Sequence, residues 1–420
     1  MIRTSSILYL SIILILFTAL RNISIVYYLS IFLLLGFLIF SSKNPIFFIN
    51  NKINLSLALY FIFFIFTFFV IFWSWIYWES FEFIGGIHRV LLMLLLVWIM
   101  LSHIKNEKEF ETILKILLFC YFIAALTIIY QIYFGSIPWF AKQAGRAGMF
   151  RYSSILGSLT IFGSVVGYAY LMTNSKIVTQ KSILKKLIYN LVFFLTVIFS
   201  LSKGAVVIFF SAILIYLALY SKSLTSQIIY NKKYLYSLII LIFTFLLIFR
   251  IDFIAHYYNS SITHVFGTNS FLSNSSGVII DSPQVSMATI SKRLFYWVNG
   301  MLEMYGPISY ISGVGLQGAG GTLGLNNHPM AHNAFGDLLF MGGLIYLSIF
   351  LLLFFSLQTF LWKNRFNAIS KLLFAMNCIF FINMTFASGT IFHPAISFPF
   401  WLSLVYVNMK KFNQISFIKK

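Results

Sequence analysis

Charged side chains are scarce in this sequence, since Asp, Glu, Lys and Arg make up only 9% of its 420 residues. Acidic residues are the rarest, at nine in all, whereas 60% of the residues are apolar and 20% are aromatic. A soluble fold of this length needs a far more polar surface. The composition therefore excludes a soluble globular protein and predicts that most of the protein's surface faces lipid.

Cysteine and histidine are also rare, at two and seven residues. Cys120 and Cys378 both fall within apolar segments, which excludes a disulfide framework and a cysteine-rich metal cluster. His328 and His332 are four residues apart, a spacing that can hold zinc on a helix. Pro329 interrupts that helix, however, and no metalloprotease glutamate follows. We therefore expect neither a metal nor a cofactor.

Long apolar segments make up most of the sequence. Each has about 17–25 residues, the length that crosses a ~30 Å hydrocarbon core. The segment from Leu184 to Tyr220 would be about 55 Å long as one helix, so its SLSKGA sequence (Ser200 to Ala205) predicts a tight hairpin. The fold class is then an all-α polytopic membrane protein with about twelve transmembrane helices. The predicted segments lie at about residues 5–20, 23–40, 55–77, 87–103, 113–133, 153–172, 184–201, 205–220, 234–249, 333–357, 369–386 and 391–408.

The positive charges divide unevenly between the two sides of this topology. The N-terminus, the even-numbered loops and the C-terminus carry 20 of the 29 Lys and Arg residues, and the odd-numbered loops carry the other nine. Basic residues mark the cytoplasmic side, so both termini are predicted to be cytoplasmic. Residues 1–249 then hold helices 1–9, residues 250–332 form one large external loop, and residues 333–420 hold helices 10–12. The net charge of +20 reflects this orientation signal, and no nucleic-acid partner is expected.

Cations on the depleted external side need a physical reason. Lys203 lies in the hairpin within an otherwise uncharged apolar run, where it either reaches toward lipid headgroups or serves a function. Arg146 and Arg151 are the two ends of the stretch RAGMFR, just before the sixth helix, where contact with phospholipid is the structural alternative to ligand binding. Arg293 lies in SKRLFYWVNGMLEMYGP, which predicts an amphipathic helix near 291–305. A cation in a first helical turn either faces solvent or joins the helix N-terminus in an anion site.

The boundary between the external loop and the tenth helix, in AHNAFGDLLFMGGLIY, carries further candidates. His332 and Asn333 lie where the polar loop meets the apolar segment, and Asp337 lies about one turn further in. His332 is either a capping or interfacial residue or a proton acceptor with the ordinary histidine pKa of about 6.5. Upstream, residues 313–318 match the pattern GxGxxG, but no strand–helix unit surrounds them. They predict only a flexible loop able to approach a ligand closely.

Three of these patterns resemble those of the O-antigen polymerase and O-antigen ligase superfamily of bacterial envelope glycosyltransferases. SLSKGA resembles the family's hairpin, with a serine and a basic residue after the seventh span. RLFYW followed by Pro307 and GVG resembles its external-loop segment. AHNAFGDLLFMGGLIY resembles its His-Asn motif leading into a glycine-bearing helix, with Gly343 as that glycine. The sequence departs from the family at Lys203, where arginine is usual, and at Met341, where members often have a carboxylate.

The resemblance implies a substrate and a mechanism. The substrate would be a glycan on undecaprenyl diphosphate, presented at the outer face of the bacterial inner membrane, with a flippase and a chain-length regulator as partner proteins. Fixed cations would stabilise the departing diphosphate, and a histidine would accept the proton of the attacking sugar hydroxyl. The implied residues are His332 as the base, Lys203, Arg293, Arg146 and Arg151 as diphosphate ligands, and Asn333, Asp337 and His328 as further candidates.

Several functions stay open at this point. A polymerase and a ligase use the same donor, and the biased Phe-, Ile-, Asn- and Lys-rich composition, which resembles that of genes in variable O-antigen clusters, favours the polymerase. A transporter or flippase would place polar residues in broken helices near mid-membrane, whereas the charges here gather at the outer edge. A hydrolase that uses Ser200, Ser202 and Lys203 is the remaining alternative.

Overall fold

The computed structural model describes residues 4–22, 25–41, 54–78, 84–140, 144–146, 149–157, 161–175, 177–178, 183–200, 202–230, 306–315, 333–386 and 391–418. Almost all of these residues are helical. A 3₁₀-helix and two short paired strands interrupt the helices, at Thr18–Asn22 and at β1 (Ala144–Arg146) and β2 (Met149–Arg151). The α-helices are α1 (Thr4–Leu16), α2 (Ile25–Ser41), α3 (Leu55–Trp78), α4 (Ile84–His103), α5 (Glu107–Phe134), α6 (Ile161–Asn174), α7 (Ile183–Phe199), α8 (Lys203–Tyr230), α9 (Ser309–Ser312), α10 (Ala334–Lys363), α11 (Ala368–Phe386) and α12 (Pro394–Ile418).

Among the residues that the structure describes, four helices are long and apolar enough to cross a membrane, and they lie in α3, α5, α10 and α11. This agrees with the predicted helical membrane protein. Helices also lie at eleven of the twelve predicted segments, while the segment at 234–249 falls outside the described residues. So do the predicted amphipathic helix near 291–305 and most of the large loop.

The predicted hairpin at SLSKGA is confirmed by the ends of two helices. α7 ends at Phe199 and α8 begins at Lys203. Ser202 caps α8, because its side-chain oxygen accepts a hydrogen bond from the Ala205 N–H at 3.3 Å. The last residue of α6 contacts the middle of α7, since Asn174 and Asn190 exchange side-chain hydrogen bonds at 3.1 Å. Ala205, just after the hairpin, lies beside Gly163 near the start of α6, so α7 runs antiparallel to α6. The hairpin therefore returns the chain through the bundle.

The sixth predicted segment, 153–172, is wrong at its start. α6 begins only at Ile161, and residues 153–157 form a buried turn instead of a helix. This turn donates to and accepts from neighbouring elements in place of its own helical hydrogen bonds, as described below. The apolar character of the segment comes from burial against the bundle, which sequence alone does not distinguish from a membrane span.

Aromatic side chains fill the centre of the helix bundle. Phe63 of α3 stacks on Tyr346 of α10 with ring centroids 4.8 Å apart, and the Tyr346 hydroxyl lies 2.8 Å from the Thr67 hydroxyl. Phe380 of α11 stacks on Phe400 of α12 at 5.1 Å. A hydroxyl pair inside an apolar bundle satisfies both polar groups and fixes the register of the helices that carry them. The core therefore packs these helices in one defined arrangement.

One end of the bundle collects charged groups, and we call it the charged end. Glu107 at the start of α5 forms a salt bridge with Lys410 near the end of α12. Asn106 caps α5 by accepting from the Glu109 N–H at 2.9 Å, and the Glu109 carboxylate accepts from the Lys105 N–H at 2.9 Å. Thr4 and Glu109 line one cavity of about 360 Å³. The start of α1 and the last turns of α12 therefore lie at the same end.

Helix α10 is broken after its first turns. Gly342 (φ −137°, ψ 18°) and Gly343 (φ 68°, ψ −167°) depart from helical geometry, about 12 Å along the helix from Ala334. The chain at Gly313–Gly315 lies in this break. The Val314 N–H donates to the Phe340 carbonyl at 2.7 Å, and the Gly315 N–H donates to the Met341 carbonyl at 2.9 Å. These two hydrogen bonds satisfy the carbonyl groups that lose their helical partners at the break.

The break allows very close approach of two backbones, which gives a testable prediction. A Cβ on Gly343 would overlap the Ile311 carbonyl, and the positive φ of Gly343 strains any other residue. We expect Gly343→Ala to lower the stability of the purified protein by on the order of 3 kcal/mol, measured as a fall in Tm in detergent.

The matched control is Gly36→Ala in α2, where the described chain places no atom within 4 Å of the new Cβ. Alanine favours a helix interior over glycine by about 0.5–1 kcal/mol, so this variant should be neutral or slightly more stable. Equal Tm values for the two variants would contradict the docking of residues 311–315 in the break.

Candidate functional site

The described parts of the three sequence patterns lie at the end of the bundle opposite the charged end, and we call it the hairpin end. Ala205, two residues after Lys203, packs on Gly163 near the start of α6, where an added Cβ would lie 3.0 Å from the Ala205 Cβ. The next residue, Ser164, accepts a hydrogen bond through its carbonyl from the Asn383 amide near the end of α11, at 2.7 Å. This contact joins α6 to α11 at the hairpin end.

α10 begins at the same end of the bundle. Phe381, two residues before Asn383, contacts Phe335 in the first turn of α10, with ring centroids 5.1 Å apart. The Gly313–Gly315 segment contacts this helix at the break. Described parts of all three patterns are therefore joined through α6, α10 and α11, while RLFYW lies outside the described residues. Lys203 and Asn333 are about 130 positions apart in the sequence, so sequence spacing does not predict that they lie at the same end.

Lys203 is the first residue of α8, directly after its capping residue. Ser200 and Ser202 are buried, at 3% and 7% exposure. The Ser200 hydroxyl donates to the Val197 carbonyl at 2.8 Å, and the Ser202 oxygen holds the start of α8. Both serines are therefore engaged by the hairpin backbone, which weighs against a hydrolase that would use either one as its nucleophile.

Asn333 is the cap of α10. Its side-chain oxygen accepts a hydrogen bond from the Gly336 N–H at 2.7 Å, and its carbonyl accepts from the Asp337 N–H at 3.1 Å. A helix-capping role was one of the alternatives for His332, and this role belongs to its neighbour Asn333. His332 immediately precedes the cap and lies outside the described residues, as do His328 and Arg293.

Asp337 lies in the first turn of α10 and is 5% exposed. The partial positive charge of a helix N-terminus stabilises a carboxylate in this turn. The other acidic residues that the structure describes, Glu107, Glu109 and Glu111, all belong to the charged end. Met341, one turn further along the same helix face, is 7% exposed and packs in the core. At the hairpin end, Asp337 is thus the carboxylate that the described chain offers.

The GxGxxG segment is not the flexible loop that the sequence predicts, at least at its first two glycines. A Cβ on Gly313 would lie 2.5 Å from the Met341 carbonyl oxygen, and one on Gly315 would lie 2.5 Å from the Ser74 Cα. The Trp73 indole N–H also donates to the Gly313 carbonyl at 3.1 Å. The glycines here allow backbone to pack on backbone, while Gly318 falls in a range that is not described.

Arg146 and Arg151 belong to the two short strands, which form a hairpin. Their backbone register places Ala144 opposite Arg151 and Arg146 opposite Met149. The strand β2 leads within two residues into the buried turn that starts at Ser153. The two arginines are therefore carried by an element that is joined directly to the bundle interior.

Sequence reasoning missed His393, which immediately precedes α12. Its Nε2 would lie 3.5 Å from a Cβ on Gly157, so the histidine packs against the end of the buried turn. The His393 carbonyl accepts from the N–H groups of Ile396 and Ser397, both at 3.0 Å, which starts the helix. Proline directly after it, at the first helical position, was the available signal for a helix start at this site.

Across the parts of the chain that the structure describes, no group of three or more His, Cys, Asp and Glu side chains is arranged to hold a metal ion. Compared with known proteins, the chain matches no protein-family model and no curated protein. The superfamily resemblance therefore rests on the three sequence patterns.

Proposed function

We propose that this protein is an O-antigen polymerase, which joins oligosaccharide repeat units carried on undecaprenyl diphosphate. The observation that supports the proposal is that the described parts of three separate sequence patterns lie toward one end of the helix bundle. SLSKGA supplies the turn before α8, GVG fills the break in α10, and His-Asn immediately precedes α10. A shared location is what three parts of one active site require, whereas unrelated resemblances have no reason to converge.

The chemistry is an inverting glycosyl transfer. The sugar hydroxyl of one repeat unit attacks the anomeric carbon of the other, the bond between that carbon and the diphosphate oxygen breaks, and undecaprenyl diphosphate leaves. His332 accepts the hydroxyl proton, and the cations Lys203 and Arg293 stabilise the growing negative charge, with Arg146 and Arg151 as further ligands. The lipid diphosphate is already an activated donor, so the reaction needs no nucleotide.

The site faces the periplasm in this proposal. The 20-to-9 division of basic residues assigns the charged end to the cytoplasm, together with both termini. The start of α1 and the last turns of α12 share that end, which is consistent with this orientation. The protein would then be a multi-pass protein of the bacterial inner membrane with about twelve spans, served by a flippase and limited by a chain-length regulator.

A transporter or flippase is the second candidate, and the break in α10 is the observation that favours it. Discontinuous helices near mid-membrane line the substrate sites of many transporters. In this chain, however, the carbonyls of Phe340 and Met341 at the break accept hydrogen bonds from Val314 and Gly315. Because backbone from the same protein fills the break, those carbonyls bind no ion or substrate in this arrangement.

Deletion of the gene, followed by gel analysis of lipopolysaccharide, tests the proposal against the ligase and the flippase. Loss of a polymerase should leave lipid A-core that bears a single repeat unit. Loss of a ligase leaves bare core and strands polymer on undecaprenyl diphosphate, while loss of a flippase leaves bare core without any polymer. A normal ladder of chain lengths in the deletion strain would exclude all three functions.

A further inference from the structure

The turn before α6, Ser153–Gly157, is fixed by hydrogen bonds from other elements of the bundle, and we call it the anchored turn. Ser153 and Ser154 are each 1% exposed, and Leu156 is fully buried. Four consecutive carbonyls in this turn accept hydrogen bonds, although the turn belongs to no helix or strand. Irregular backbone inside an apolar bundle is stable only when its polar groups are satisfied in this way.

The bonds come from three different parts of the chain. The Gln131 amide of α5 donates to the Ser153 carbonyl at 2.7 Å, and the Gly157 N–H donates to the Ser154 carbonyl at 3.0 Å. In the 3₁₀-helix after α1, the Ala19 N–H donates to the Ile155 carbonyl at 3.0 Å, and the Thr18 hydroxyl donates to the Leu156 carbonyl. The turn is therefore fixed from two sides.

Gly157 closes the turn between two further groups. Its φ of 128° is a conformation that other residues rarely adopt. A Cβ at this position would lie 2.5 Å from the Thr18 hydroxyl oxygen and 3.5 Å from the His393 Nε2. The 3₁₀-helix after α1, the helix α5 and the residue before α12 thus converge on five residues that begin two positions after Arg151.

We propose that the anchored turn positions the β1–β2 hairpin so that Arg146 and Arg151 bind the diphosphate of the lipid-linked donor, with Gln131 and Thr18 as positioning residues. The inference rests on the proposed function, because it takes its ligand from that reaction. Contact with phospholipid headgroups, the alternative for these arginines, requires no fixed backbone, since headgroups adapt to the protein surface. A diphosphate at a reacting centre does require preset donors, because misplacement lowers its binding.

Gln131→Leu tests the inference, because leucine keeps an apolar bulk of similar size and removes the donor to Ser153. Two measurements use the purified full-length protein in phosphatidylcholine nanodiscs. The first is amide hydrogen exchange of residues 144–151, which should become faster. The second is binding of undecaprenyl diphosphate, which should weaken about ten-fold, the effect expected when one buried hydrogen bond no longer fixes the site. With the repeat-unit donor, KM should rise by a similar factor with little change in kcat.

Gln358→Leu is the matched control, because it makes the same chemical change in α10, far from the hairpin end. The Gln358 amide contacts the Cys378 sulfur there, at 3.7 Å. It should leave both measurements unchanged. If Gln131→Leu fails to fold, Thr18→Val removes the donor to Leu156 and takes its place. Arg146→Ala and Arg151→Ala should weaken binding without faster exchange in the strands.

The outcomes separate this inference from the proposed function. Unchanged diphosphate binding in Gln131→Leu, with or without faster exchange, would overturn the positioning role while polymer synthesis by the wild type stands. A wild type that binds undecaprenyl diphosphate but makes no polymer would overturn the polymerase alone. A wild type that neither binds the diphosphate nor makes polymer would overturn both.

Discussion

His332→Ala is expected to lower polymer synthesis by about 10²–10⁴-fold, the usual contribution of a general base. The reason is its place in the chain. His332 immediately precedes the Asn333 cap of α10, and Asp337 lies one turn further in at 5% exposure. In the proposed reaction, a histidine at this boundary would meet both a membrane-anchored donor and an acceptor hydroxyl from the aqueous side. Initial rates of polymer formation by purified variants, measured at several pH values, give the size of the effect.

Two controls separate the base from its surroundings. His328→Ala should have a milder effect, because only its spacing from His332 singles it out. Asn333→Ala removes the cap and should destabilise the protein by about 1 kcal/mol. Its rate should still fall at low pH as in the wild type, because the histidine base is retained. Wild-type rates in His332→Ala, or a pH profile unaltered by that substitution, would exclude the proposed role.

Lys203→Ala and Arg293→Ala are each expected to lower the rate by about 10²–10³-fold, the usual effect of removing one group that stabilises a developing anion. Lys203 is the first residue of α8, where a cation opposes the helix dipole, so its removal should not destabilise the helix. Loss of activity would therefore report on chemistry. Lys203→Arg should keep substantial activity, because a guanidinium provides the charge and a two-pronged donor.

Lys363→Ala is the control for charge removal, because Lys363 ends α10 at the charged end. It should leave the rate unchanged. Full polymer synthesis by both Lys203→Ala and Arg293→Ala would show that neither cation contacts the diphosphate. A rate that falls equally in Lys203→Ala and Lys203→Arg would instead indicate a role for the amine itself.

The hairpin before α8 could be predicted because it follows from length. No bilayer accommodates a helix of about 55 Å. The one charged residue in the interior of the segment, Lys203, lies beside Ser200 and Ser202 and marks the position of the turn. The capped start of α10 was also within reach, since an asparagine before an apolar helix is a common cap. Both are local features that propensity and helix geometry determine.

The break in α10 could not be predicted, because the apolar run continues through Gly342 and Gly343 without interruption. A glycine pair is compatible with an unbroken helix, and its conformation here depends on backbone at Gly313–Gly315 that fills the gap. The anchored turn was missed for the same reason. Its apolar residues resemble the start of a span, and only contacts with Thr18 and Gln131 make it a turn.

The central claim is that this chain joins lipid-linked repeat units without help from another enzyme. Purified protein in liposomes, supplied only with the undecaprenyl-diphosphate-linked repeat unit in the presence of a metal chelator, tests it most directly. The expected product is a ladder of longer glycans on undecaprenyl diphosphate, with one undecaprenyl diphosphate released for each new bond. A donor that stays unchanged until lipid A-core is added, or that only moves across the bilayer, would contradict the claim.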